Sequence, residues 1–235
     1  MQMNDLILIS VDDHLIEPRD LFEKHVPQKY RGSAPRVIVN KNGEERWAFD
    51  GKLLATVGSA AVAGRSREER CLEPANFTHM RPGCYQPMAR IEDMSANGVL
   101  TSLCFGTMTG FAGEIFLRSS NRELMLTLLK SYNDWHIDDW CATAPDRFIP
   151  IGLIPLWDAT AAAGEVRRVA RKGARAICFP ENPAALKIPT IHEGFWDPMF
   201  KVCVDEGVAL CTHIGTGGAS ARPRCSRTPT FRCAP

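Results

Sequence analysis

Short apolar runs alternate with amphipathic stretches along most of the chain, and their order predicts a fold. Leu6–Val11 is an aliphatic, β-branched run that reads as a fully buried strand, ended abruptly by Asp12, Asp13 and His14. Asp20–His25 reads as a short helix stopped by Pro27. Val37–Val39 and Arg46–Phe49 flank Asn42-Gly43, the signature of a β-hairpin, and Asp50-Gly51 makes a second turn. Residues 55–85 hold Ala, Gly, Arg and Pro without period and predict a long irregular excursion.

Regularity returns at Pro87. Met88, Ile91, Met94 and Ser95 keep helical spacing up to Asn97-Gly98, and Val99–Phe105 is a second strand. A long helix spans roughly 120–142, with Leu124, Leu128, Tyr132 and Trp135 as its apolar stripe. Phe148–Leu153 is the third strand. Asp158 caps the next helix and Gly173 ends it before the fourth strand, Ala174–Phe179. Asp197-Pro198 opens another helix, with Phe200 and Val204 on its buried face and Gly207 at its end. Val208–Thr212 is the fifth strand, running into His213-Ile-Gly-Thr-Gly-Gly218.

Strands separated by helices predict an α/β fold with a parallel sheet, either doubly wound or a (β/α)8 barrel. A dinucleotide-binding sheet would carry G-x-G-x-x-G after its first strand; this chain has Asp-Asp-His there, which favours the barrel. Barrel strands all end at one mouth. Asp12 and His14, two residues apart and so on one strand face, would then meet His213, with Thr107, Trp157 and Glu181 around them. A carboxylate and imidazoles converging there form the start of a divalent metal site. The alternative is that Asp12 or Asp13 caps a turn and the histidines are ordinary loop residues. His25, His79, His136 and His192 read as helix, loop, helix and connector residues.

Composition changes this picture little. The chain has 235 residues, enough for one domain, and Lys+Arg 28 against Asp+Glu 27 gives no charge bias towards nucleic acid or an anionic membrane. No apolar run reaches membrane-spanning length, and the N-terminus reads as a strand rather than a secretory signal. Nine cysteines, odd in number and without a C-x-x-C pair, point to reduced thiols and a cytoplasmic location.

Several stretches together resemble the amidohydrolase-related family (amidohydrolase family 2), in the branch of aminocarboxymuconate-semialdehyde and dihydroxybenzoate decarboxylases. They are Ser10-Val-Asp-Asp-His-Leu-Ile-Glu-Pro18, Met80-Arg-Pro-Gly-Cys-Tyr85, Ala96-Asn-Gly-Val-Leu100, Ser102-Leu-Cys-Phe105, Tyr132-Asn-Asp-Trp-His136, Arg147-Phe-Ile-Pro-Ile-Gly152, Pro180-Glu-Asn-Pro183 and Leu210-Cys-Thr-His-Ile-Gly215. The resemblance implies a metal-dependent (β/α)8 TIM barrel holding one divalent ion, zinc first, through Asp12, His14 and His213. It further implies a carboxy-lyase or hydrolase for a small aromatic or unsaturated carboxylic acid, with His213 and Glu17 as catalytic residues. Phe105 and Trp157 would stack on the substrate, Arg81 would bind its carboxylate and Glu181 would line the pocket. A metal-free alternative assigns proton transfer to His14 and Glu17.

The resemblance covers about residues 5–218, some five βα units with an insertion at about 36–85, whereas the family barrel has three more. Residues 219–235 hold four arginines and no acid. They read as a disordered, non-family tail, similar to out-of-frame translation after a frameshift or premature stop; a natural short form with a basic tail is the other expectation. Such a chain would expose strand edges and form a homo-oligomer, and the alternative function is a catalytically inactive fragment persisting in that state.

Overall fold

The computed structural model describes residues 6–59, 61–69 and 74–216. The expected tail at 219–235, with Gly217, Gly218, Cys71, Cys225 and Cys233, lies outside the described residues.

The first strand, β1 (Leu8–His14), leads to two short helices, α1 (Leu21–His25) and α2 (Gln28–Arg31). An antiparallel sheet follows: β2 (Arg36–Val39), β3 (Glu45–Phe49) and β4 (Lys52–Thr56) pair in sequence order. The Asn42-Gly43 turn sits where the sequence places it, with Gly43 at φ +76°. After the irregular excursion come α3 (Pro87–Ala96), β5 (Val99–Phe105), α4 (Arg122–Trp135), β6 (Ile151–Gly152), α5 (Ala159–Arg171), β7 (Ala176–Pro180), α6 (Asp197–Glu206) and β8 (Ala209–His213).

Parallel pairing joins β1 to β5 and β6 to β7 to β8. A bridge between Ser102 and Phe148 links the two groups, so five strand segments run side by side in chain order. Apolar residues fill both sides of this arc. Leu103, Phe105, Ile151, Ala176 and Cys178 belong to one buried cluster; Ile177 and Phe179 pack instead with Val166 and Val169 of α5 and Met199 and Val202 of α6. Alternate residues of one strand therefore serve two cores, which is why β7 is apolar throughout.

Three expectations need correction. Leu6–Val11 is not fully buried: Ile7 is 72% exposed and Val11 64%, because β5 is the one described neighbour of β1. Val204 is 81% exposed; α6 buries Met199, Val202 and Cys203 instead, and Val204 lies past the edge of that face. The third strand shrinks to Ile151–Gly152, since Pro150 has no N–H for the ladder and uses its carbonyl to accept from Arg175.

Caps follow the sequence. Asn121 accepts from Leu124 N at the start of α4, and Asp158 accepts from Ala161 N at the start of α5. The predicted long helix continues past α4 as a π turn, His136–Trp140. His136 is fully buried there with Nε2 3.1 Å from the Cys104 carbonyl, and burial pushes its pKa down to about 4, so it packs as a neutral ring.

One polar knot ties α4, β6 and α5 together. Buried Asn133 accepts from Leu153 N and donates to Leu153 O and Glu165 Oε1, each at 2.8 Å. Glu165 is itself buried and held by Arg168 at 2.7 and 2.8 Å. Replacing Asn133 by Ala leaves the Leu153 N–H and carbonyl without these partners and removes one of the donors to the Glu165 carboxylate. Asn133→Ala should cost about 2–4 kcal/mol, read as a lowered midpoint in urea unfolding at unchanged slope.

Candidate metal centre

Parallel pairing sends the ends of β1 and β8 to the same side of the arc. Asp12 and His14 leave one face of β1, and His213 is the last residue of β8. Their ligand atoms lie within 4.8 Å of one another. Asp12 Oδ1 is 3.0 Å from His213 Nε2 and 3.7 Å from His14 Nε2. His213 Nδ1 lies 2.6 Å from the Ile214 carbonyl, a partner that requires the proton on Nδ1. A neutral His213 then points the Nε2 lone pair at a carboxylate oxygen. Two acceptors at that distance need a proton or a cation between them. One carboxylate and two imidazoles suit a first-row divalent ion, so these side chains fit such a group.

The strand ends are held from behind. Asp13 faces away from Asp12, hydrogen-bonds Ser102 Oγ and lies 3.8 Å from Arg90 of α3. Arg90 also donates to the His14 carbonyl at 2.6 Å. Here the β1–β5 register slips between Ser10 and Asp13. Burial pulls the His14 pKa below its usual value, and nearby His213 adds to this; Asp12 and Asp13 oppose it. The neutral imidazole is the ligand form.

The loop after β5 covers the cluster. Phe111 lies with its ring centroid 4.2 Å from His213 and 4.8 Å from His14, and Phe105 lies 5.0 Å from His213. Glu17 fastens this loop. It is fully buried and accepts from Thr107 N and Met108 N at 2.9 Å, while Thr107 Oγ1 donates to the Leu15 carbonyl at 2.8 Å. A Cβ at Gly106 would collide with Glu17 and the Tyr132 hydroxyl, so only glycine fits that turn. Burial drives the Glu17 pKa up to about 7 although its N–H partners pull the other way.

Of the expected substrate contacts, Phe105 alone reaches the imidazoles among the described ring contacts. Trp157 lies under the Arg122 guanidinium, 5.0 Å from it. Arg81 is ion-paired with Asp93 of α3. Glu181 is exposed and accepts from Gly215 N at 2.8 Å, bracing the turn after β8. Phe111 and Glu114 at this mouth were not picked out in the sequence, because they sit in a loop without period and nothing local marks them as inward-facing.

A family model described as Amidohydrolase matches residues 46–231. Among solved structures, an amidohydrolase from Mycobacterium avium subsp. paratuberculosis K-10 superposes with a TM-score of 0.68 at 19% identity, covering 91% of this chain and 60% of that one. The 5-carboxyvanillate decarboxylase of Novosphingobium aromaticivorans DSM 12444, complexed with manganese and 4-hydroxy-3-methoxy-5-nitrobenzoic acid, gives 0.53 at 22% identity, covering 90% of this chain and 51% of that one. The chain thus spans between half and two thirds of these proteins' length. No curated protein matches it.

Glu17 makes stability depend on pH. Its folded pKa of about 7 lies above the ordinary carboxylate value of 4.5, so the folded state holds a proton that the unfolded state has already lost between those values. Stability should be greatest below pH 4.5 as far as this group is concerned, and fall by about 3 kcal/mol as pH rises to about 7. Glu17→Gln should flatten that slope in urea unfolding measured across the same range; an unchanged slope would place the carboxyl elsewhere.

Proposed function

The chain belongs to the amidohydrolase family, and on that premise we propose that it is a metal-dependent carboxy-lyase or hydrolase acting on a small aromatic or unsaturated carboxylic acid. The observation that carries this reading is the convergence of His14 Nε2 and His213 Nε2 on one oxygen of Asp12. Those three residues would hold one divalent ion, with zinc the first assignment and manganese, the metal complexed with the Novosphingobium protein, the second. When bound, such an ion supplies positive charge that polarises a carbonyl or acidifies a water.

The chain's own groups complete the proposed site. Phe105 and Phe111 flank the imidazoles with apolar rings, which offer flat faces to an unsaturated ring. His213, its Nδ1 committed to the Ile214 carbonyl, presents Nε2 inward. Glu17 acts by holding the loop that carries Phe111 rather than by meeting substrate, since it is fully buried and its oxygens accept backbone N–H groups. Decarboxylation of an aromatic acid fits the flanking rings; hydrolysis of an amide, ester or lactone fits the same ligand set.

The test is turnover by the zinc- or manganese-loaded chain, as CO2 release from aromatic acids such as 5-carboxyvanillate or as hydrolysis of ester and lactone panels. His213→Ala should cut metal affinity at least tenfold and turnover with it. Turnover that persists unchanged in excess chelator would sink the metal reading.

A second reading has its own observation. Ile7, Leu8, Ile9 and Val11 are 51–72% exposed along β1, an apolar row on an open strand edge. A non-catalytic oligomer that covers this row should elute above the mass of one chain in size-exclusion chromatography with light scattering. A compact soluble monomer would exclude it.

A further inference from the structure

Two adjacent carboxylates precede His14, and the backbone decides which of them reaches the mouth. Pairing runs from Ser10 with Ser102 to Asp13 with Cys104, so Val11 and Asp12 stand against Leu103 alone. Two residues opposite one make a β-bulge. Paired residues of neighbouring strands point to the same side of a sheet, and sides alternate along each strand. Cys104 points to the helix side, where its Sγ lies 3.9 Å from Arg90 of α3. Phe105 points to the mouth, its ring 5.0 Å from His213. Continued from Ser10 without the bulge, the ladder would set Asp12 opposite Cys104 and Asp13 opposite Phe105, and would turn His14 to the helices. The extra residue reverses this: Asp13 meets Cys104, and His14 meets Phe105.

A bulge breaks the ladder locally, and Arg90 spans the break. Its side chain is 13% exposed and its donors are taken. The two terminal nitrogens and Nε form one planar fork: Nη2 donates to the His14 carbonyl and Nε to the Gly83 carbonyl, each at 2.6 Å, while Nη1 lies 3.8 Å from Asp13 Oδ2. Ser102 Oγ donates to the same Asp13 oxygen. Ile16 N donates to the Cys84 carbonyl at 2.8 Å, so the turn Pro82–Cys84 grips the chain after β1 at a second point. We propose that Arg90 and Asp13 are positioning residues of the metal centre. They lock the bulge that turns Asp12 and His14 to the mouth, and Asp13 is an anchor rather than a ligand. The inference rests on the metal reading above. A planar fork shared among two carbonyls and a carboxylate fixes orientation as well as distance, which a lysine ammonium does not.

The experiment is titration of Co2+ into the full metal-free chain, followed by visible absorption, whose bands report the geometry around the ion. The chains are wild type, Arg90→Met, Arg90→Lys, Asp12→Asn and Asp13→Asn, with urea midpoints measured alongside. Asn133→Ala, destabilised at the knot of α4, β6 and α5, controls for stability alone. Arg90→Met should bind Co2+ about tenfold more weakly and shift the bands. Arg90→Lys should recover part of the affinity without restoring the wild-type bands. Asp12→Asn should lose more affinity than Asp13→Asn, whose amide oxygen still accepts from Ser102. Asn133→Ala should keep the wild-type bands.

Wild-type affinity and bands in folded Arg90→Met, or a greater loss in Asp13→Asn than in Asp12→Asn, would overturn the assignment while leaving the metal centre standing. The same band shift in Asn133→Ala would trace the effect to stability and overturn it as well. Absence of Co2+ binding to wild type would overturn both the assignment and the metal reading. Should Arg90→Met fail to fold by circular dichroism, Arg90→Lys decides: shifted bands support the assignment, and unmoved bands overturn it.

Discussion

Parallel pairing is the constraint on which the rest of this structure depends. Each strand of the arc must return to its starting level through a helix before the next can pair, so the chain spends its length on βα units. The result is that β1 and β8, separated by some two hundred residues, end on the same side. Asp12 and His213 meet at 3.0 Å for that reason. Nothing in either local segment would bring them together without the strands between them.

Strand ends alone leave an open cluster, and the loop after β5 changes its environment. That loop has no regular structure to hold it. It is held by Glu17, whose oxygens accept from Thr107 and Met108, and by Thr107, whose hydroxyl donates to Leu15. Burying a carboxyl completely is unfavourable, and its raised pKa is the measure of that. The cost secures a fixed position for Phe111 beside the imidazoles. Arg90 and Asp13 brace the same strand end from the helix side, so the slipped register of β1 is held between two polar supports.

Electrostatics and packing agree at the cluster. Burial favours the neutral form of His14, the Ile214 carbonyl orients His213, and phenylalanine rings flank both imidazoles. On the far side of β1 the balance is reversed. Ile7 and Val11 lie exposed because their strand has one described neighbour.

Much of this was legible in one dimension. Short apolar runs marked the strands and helical spacing of apolar positions the helices, Asn42-Gly43 marked the hairpin, and Asp12-x-His14 before a turn marked one half of the cluster. Those signals are local, set by side-chain direction and turn sterics, and a sequence determines them by itself. The burial of Leu6–Val11 and Val204 was misjudged because burial depends on which element lies opposite, and periodicity does not name the opposing element. Phe111, Glu114 and the hydrogen bonds that Glu17 makes could not be read at all. A loop's inward face is chosen by the hydrogen bonds and glycine turns that fold it back, and those partners come from the segment just after β1, from α4 and from β8, far away along the chain. The sequence determined the chemistry this chain carries; tertiary structure alone decided which of those groups share one mouth.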